Sequence, residues 1–113
     1  MGSVNRVSCE CGYTSTVMVG GNRETFHEKS VFPFYCKNCG IVSVNVHGNT
    51  SECPYAWCKA TEIHPYGKEP ISHGEDQFPS IEWGNYKAYR YGNLCPECKK
   101  FTLEISSVEM MFD

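Results

Sequence analysis

The sequence predicts a small, metal-dominated β protein with little helix, and three observations carry that reading. Eight of its 113 residues are cysteine. They fall into four close pairs, Cys9/Cys11, Cys36/Cys39, Cys53/Cys58 and Cys95/Cys98. Each pair is followed, at least briefly, by a strand-like run. With 41% hydrophobic and 20% charged residues the chain is neither a disordered tail nor a coiled coil. Its apolar stretches, such as Val17-Met18-Val19, are far too short to span a membrane. The length allows one or two small domains, and either half alone needs staples to fold.

Dense cysteine means disulfides in an oxidising compartment or metal in a reducing one. The N-terminal MGSVNRVSCECGY has neither the apolar core nor the small-residue cleavage site of a signal peptide. Arg6 also stands where a myristoylation pattern places Ser or Thr. The expectation is a cytoplasmic protein. Spacing points the same way. A close pair makes a poor local disulfide but a good half-site, because a tight turn aims two sulfurs at one point and two turns complete four thiolates. Gly12 and Gly40 follow the second cysteine of their pairs, where a tight knuckle calls for positive φ. Cys9, Cys11, Cys36, Cys39, Cys53, Cys58, Cys95 and Cys98 therefore fill two four-sulfur centres with none left over. Four thiolates in tetrahedral geometry suit zinc or iron, and two Zn2+ ions are the expectation, with Fe as the alternative.

The elements follow in order. Tyr13–Val19 is β-branched and bounded by Gly20-Gly21. Val31–Tyr35 is a short extended segment in which Pro33 suits an edge. Ile41–Val46 places Val42, Val44 and Val46 on one face. Ala60–Ile63 is a shorter run. Phe101–Ile105 alternates cleanly, shifts phase at Ser106-Ser107 and resumes at Val108, Met110 and Phe112, which predicts a bulge. Helix signals are weak. One or two turns fit Asn22–Ser30, and a short helix fits Ser80–Tyr91 with Gly84 inside it. Pro65, Gly67, Pro70 and Gly74 mark residues 64–78 as a loop.

Four half-sites can be partnered in three ways. Tandem pairing joins Cys9, Cys11, Cys36 and Cys39, then Cys53, Cys58, Cys95 and Cys98. It closes contiguous loops at slightly lower entropic cost and is the expectation. It divides the chain into residues 1–50 and 51–113, either separate or packed as one compact unit. The first set, C-x-C-x24-C-x2-C, resembles the zinc ribbons of transcription-elongation factors and RNA polymerase small subunits over residues 9–46. Its Cys9-Glu10-Cys11 knuckle is one residue shorter than theirs. Nested pairing joins Cys36, Cys39, Cys53 and Cys58 as C-x2-C-x13-C-x4-C and leaves the outer pairs to each other. That stretch is similar to the rubredoxin-like module of rubrerythrins, with a longer gap at Pro54-Tyr55-Ala56-Trp57. Interleaved pairing is the third possibility. The resemblance as a whole implies two zinc ribbons with rubredoxin-like knuckles on short antiparallel sheets.

Function follows from how the sulfurs are used. A catalytic zinc keeps a position open for water, and four thiolates close it, so the expectation is a non-catalytic protein. His73-Gly74-Glu75 and Cys95-Pro96-Glu97-Cys98 approach a zinc-deaminase signature, but Pro lies after rather than before Cys95. His27, His47, His64 and His73 are not needed as ligands. The rubredoxin-like resemblance implies an iron electron carrier, against which two of the four knuckles are irregular. The net charge is −3, and eight thiolates with two divalent ions take it to about −7, which opposes polyanion binding. Lys87, Arg90, Lys99 and Lys100 with Tyr86, Tyr89, Tyr91 and Phe101 form the best candidate for single-stranded nucleic acid or another partner. Met110, Met111 and Phe112 could serve strand addition. Tyr55, Trp57, Phe78 and Trp83 could cover the centres or anchor a partner. The leading expectation is a docking module for a protein or nucleoprotein partner, with no membrane contact. Transcription-type binding of single strands is the alternative.

Overall fold

The structure is a computed structural model. It describes residues 2–21, 28–48, 50–55, 57–58, 62–68, 71–72 and 81–112, the last six as backbone alone. Among them it is all β, with eight strands: β1 (Gly2–Cys9), β2 (Thr14–Gly20), β3 (Val31–Cys36), β4 (Gly40–Asn45), β5 (Ile63–Pro65), β6 (Ile81–Trp83), β7 (Tyr86–Ala88) and β8 (Leu103–Phe112). The main antiparallel sheet runs β4-β3-β2-β1-β8, with β5 also on β3, and β6-β7 form a separate hairpin. No helix among the described residues is long and apolar enough to cross a membrane.

Alternation explains most of the core. Val17 and Val19 of β2, and Val42 and Val44 of β4, point inward and are buried. In β3 the run Phe32–Cys36 is buried throughout. The Tyr86 ring of the β6–β7 hairpin lies 5.3 Å from Phe32 and 5.8 Å from Phe34. Pro33 is not on an edge strand, contrary to expectation, since β3 pairs with β4 on one side and with β2 and β5 on the other. On that second side β2 reaches only Val31 and β5 only Phe34 to Cys36. Pro33 sits in the gap between them, where its missing N–H costs no ladder bond, and its carbonyl accepts from the Tyr66 amide at 3.2 Å.

Two expectations from the sequence are corrected. Ser80–Tyr91 holds the β6–β7 hairpin rather than a helix. Gly84 has φ 61° at the first position of the two-residue turn between Trp83 and Tyr86, the place a type II′ turn reserves for glycine. The segment 64–78 is not loop throughout, since Ile63–Pro65 pairs with β3. Most of the Asn22–Ser30 candidate lies outside the described residues, and residues 28–30 are not helical.

Strand β1 was not foreseen, yet it is central. It pairs with β2 along its length and with β8 from Gly2↔Phe112 to Cys9↔Leu103. The bulge expected near Ser106-Ser107 is present as a register shift. Val7 faces Ile105, Asn5 faces Val108, and a second shift follows before Val4↔Met110. Asn5 is fully buried there and donates from Nδ2 to the Ser106 carbonyl at 3.2 Å, while its Oδ1 accepts from Ser3 Oγ at 2.9 Å. A buried amide thus takes up a carbonyl that the bulge leaves out of the ladder.

Asn93 is a second buried polar anchor. Its Nδ2 donates to the carbonyls of Tyr89 (2.8 Å), Leu103 (3.2 Å) and Arg90 (3.4 Å), and its Oδ1 accepts from Ser72 Oγ at 2.9 Å. The Gly67 amide donates in turn to Ser72 Oγ at 2.8 Å. This network fixes the approach to Cys95 against the start of β8. Asn93→Ala removes all of its side-chain bonds at once; the Arg90 carbonyl keeps the Ile105 amide, but the Tyr89 and Leu103 carbonyls and the Ser72 hydroxyl each lose the amide as a partner. The expected loss is about 3 kcal/mol, read from the urea midpoint at unchanged slope.

Candidate metal centres

The eight cysteines are free thiols and gather into two groups. One holds Cys9, Cys11, Cys95 and Cys98, the other Cys36, Cys39, Cys53 and Cys58, and within each the sulfurs lie within 4.8 Å of one another. The tandem pairing is thereby corrected and the nested one found. Residues 1–50 and 51–113 each supply two sulfurs to each group. The cause is the sheet. Antiparallel pairing of β1 with β8, ending at Cys9↔Leu103, carries the Cys95–Cys98 turn to the turn between β1 and β2. Pairing of β3 with β5, from Cys36↔Ile63, returns the chain just after Cys58 to the turn between β3 and β4.

The knuckles are built on short backbone bonds. The Cys9 amide donates to the Tyr13 carbonyl at 2.9 Å, and the Gly12 amide to the Cys9 carbonyl at 3.0 Å. In the Cys95–Cys98 turn the Cys95 amide donates to the Lys100 carbonyl at 2.8 Å, and the Lys99 amide to the Cys95 carbonyl at 3.0 Å. Gly12 and Gly40 take the expected positive φ, 101° and 84°. Lys99 holds the corresponding place after Cys98 at φ 61°, a left-handed position that a lysine occupies only under constraint.

Each group fits a metal ion by donor type and by spacing. Sulfur separations are 3.6 Å for Cys9–Cys98 and 3.7 Å for Cys11–Cys95, Cys36–Cys58 and Cys39–Cys53. Four thiolates about 2.3 Å from a shared tetrahedral ion sit about 3.8 Å apart. Thiols this crowded cannot all ionise by themselves. Burial, then the Cys58, Cys53 and Cys36 sulfurs, push the Cys39 thiol up. Burial pushes up Cys53 and Cys95 as well. For Cys11 the Tyr13 amide works downward, but desolvation and the Cys9, Cys95 and Cys98 sulfurs outweigh it and raise the thiol to about 12. Cys9 goes the other way. Desolvation opposes ionisation, yet hydrogen bonds from the Cys11 amide and the Thr102 hydroxyl bring it down to about 6. A cation filling either group must displace protons, and its charge is what makes four thiolates together possible.

Two groups beside the sulfurs were missed from sequence. Thr102 Oγ1 lies 3.0 Å from Cys9 Sγ and 3.7 Å from Cys98 Sγ. Asn38 Nδ2 donates toward Cys58 Sγ at 3.9 Å. Their signal was position alone, a hydroxyl four residues after Cys98 and an amide inside the Cys36–Cys39 turn. Such donors orient sulfur ligands and spread their charge. Neither His47 nor His64 belongs to a group, and His64 Nε2 lies 3.5 Å from Glu62. His27 and the His73-Gly74-Glu75 motif lie outside the described residues, as does Phe78.

The candidate contact residues are largely engaged within the molecule. Lys87 lies 3.5 Å from Glu82, and Arg90 lies 3.1 Å from Glu104 and covers the Tyr91 ring. Lys99 Nζ donates to the Tyr35 hydroxyl at 2.9 Å and lies over its ring. Tyr86 packs on the core with Lys68 above it. Tyr89 is half-buried, and Tyr91 and Lys100 are exposed. In the Cys53–Cys58 segment Tyr55 and Trp57 stack on one another, ring centroids 5.3 Å apart and planes 11° from parallel. Trp57 remains 72% exposed. Trp83 is half-buried in the β6 strand.

Two four-cysteine groups on a small antiparallel β fold define a candidate metal-binding protein built on cysteine knuckles. No protein-family model matches the chain, and no curated protein or solved structure matches it either.

Proposed function

We propose that the chain is a non-catalytic zinc protein that serves as a docking module for a protein or nucleoprotein partner in a reducing, cytoplasmic setting. Closed sets of four sulfurs leave no coordination position for water, which supports structural ions. The short Cys9–Cys11 and long Cys53–Cys58 knuckles favour zinc over iron, since iron electron carriers of rubredoxin type use matched, regular knuckles. Hairpin knuckles carrying the first cysteine pair of each group support a kinship with zinc ribbons, and the Cys36–Cys58 set keeps the spacing similar to rubredoxin-like modules.

The observation that carries the docking reading is the Tyr55–Trp57 stack. Metal ligation needs neither ring, and the Cys36–Cys39 and Cys95–Cys98 turns manage with two intervening residues. The longer gap carries two exposed aromatic side chains between two ligands, and exposed aromatic anchors dominate protein interfaces. Engagement of Lys87, Arg90 and Lys99 by Glu82, Glu104 and Tyr35 weighs against a nucleic-acid surface.

Affinity capture from the native host tests this with wild type and Trp57→Ala side by side. The variant is expected to keep two zinc ions by native mass spectrometry and to lose the captured partner. An unchanged captured set would move docking elsewhere. Salt-sensitive retention on single-stranded DNA, abolished by changing Lys87 and Arg90, would replace the reading with nucleic-acid binding.

A further inference from the structure

We propose that the two centres load their ions cooperatively and that Lys99 is the positioning residue that couples them. This rests on the metal reading above but not on docking. Three contacts join the knuckles. Lys99, directly after Cys98, reaches the hydroxyl of Tyr35, directly before Cys36, at 2.9 Å. Pro96, between Cys95 and Cys98, packs against Gly40, directly after Cys39, so closely that a Cβ on Gly40 would lie 3.2 Å from the proline Cβ. Tyr66, whose amide holds the β3 carbonyl of Pro33, donates its hydroxyl to the Leu94 carbonyl at 2.8 Å, next to Cys95.

Lys99 is the unusual member. Its φ of 61° falls in the same left-handed region as the 84° of Gly40 in the other C-x2-C turn, where glycine meets no steric penalty. A lysine backbone accepts this conformation when its surroundings dictate it. An ion held by Cys95 and Cys98 closes the turn and fixes Lys99, which then holds Tyr35 and, through it, the start of the Cys36 turn. The coupling runs equally in reverse, because linkage between two binding sites is reciprocal.

The test is chelator competition on the full chain loaded with two zinc ions, followed by native mass spectrometry. Independent equal sites pass through a single-ion species of about one half at mid-release. Coupling of about ten-fold holds it to about a quarter. The wild type is expected at or below that level. Lys99→Gly relaxes the backbone while removing the ammonium, and Tyr35→Phe removes only its acceptor. Both are expected to raise the single-ion species to about one half or above, and Lys99→Arg, which can still reach the hydroxyl, is expected to restore the wild-type distribution. A purely structural Lys99 would leave Lys99→Gly unchanged or more retentive. A dominant single-ion species in the wild type, or release of both ions together in Lys99→Gly and Tyr35→Phe, overturns the coupling. Failure of the untreated chain to hold any zinc overturns the metal reading with it.

Discussion

Removing the metal with a strong chelator is expected to unfold the protein, with loss of the near-ultraviolet dichroism of its aromatic rings and of a cooperative thermal transition. A structural zinc contributes on the order of 10–16 kcal/mol of apparent binding energy, against about 5–15 kcal/mol of total stability in ordinary domains. The strands cannot replace it. Strands β5, β6 and β7 have three residues each, and β2 and β3 meet at a single pair, Gly20↔Val31. Each knuckle also crowds sulfurs that repel once ionised. The sign of the pH dependence follows. Metal holds the thiolates ionised, so its stabilisation is present at neutral and alkaline pH and is lost as protons compete for the sulfurs on acidification. Without a cation the Cys11 and Cys39 thiols are pushed up and keep their protons, whereas Cys9, lowered by its hydrogen bonds, gives its proton up more readily. Readdition of zinc at neutral pH should restore the spectrum. A chelated, metal-free chain that keeps its aromatic dichroism and melts cooperatively would show that the apolar core suffices.

Gly67→Ala is expected to cost about 3–5 kcal/mol, a large effect for a single added methyl group. Gly67 has φ 100° and lies against β7, where a Cβ would fall on the Lys87 carbonyl oxygen and within 3.0 Å of the Ala88 Cα. These are backbone atoms, which cannot swing aside. The β6–β7 hairpin would have to lift from Phe32 and Phe34, which Tyr86 now covers. Gly84→Ala is the matched comparison. It also carries positive φ, but a Cβ there meets nothing within 4 Å, so about 1 kcal/mol is expected. Urea midpoints of the two variants measure the difference, and equal losses would mean that close approach at Gly67 does not matter.

The knuckles, and the strands that follow three of them, were legible because their signals are local. Close cysteine spacing, glycine after the second sulfur and alternation in Ile41–Val46 and Phe101–Ile105 each act within a few residues. The partnering of the half-sites was not local. It is set by β1 pairing with β8 across most of the chain, and loop entropy, the argument for tandem closure, grows too slowly with length to decide it. Strand β1 was hidden because its inward positions include Asn5, whose amide serves the bulge rather than an apolar core. The β6–β7 hairpin did carry a signal, Gly84-Asn85 between Ile81-Glu82-Trp83 and Tyr86-Lys87-Ala88, but the segment also fits a weak helix pattern. Tyr86 is one of the possible partner contacts in the sequence, with packing over the second metal site as the other reading, and its actual packing on Phe32 and Phe34 depends on that hairpin.

Nesting of one sulfur group inside the other sets a timetable for synthesis. As the chain leaves the ribosome, Cys36, Cys39, Cys53 and Cys58 are all available once residue 58 has emerged. Cys9 and Cys11, made first, wait for Cys98 and Cys95, 89 and 84 positions later. Through that interval two early thiols stand without partners in the nascent chain, and emergence of the Cys95–Cys98 turn decides whether they are sealed.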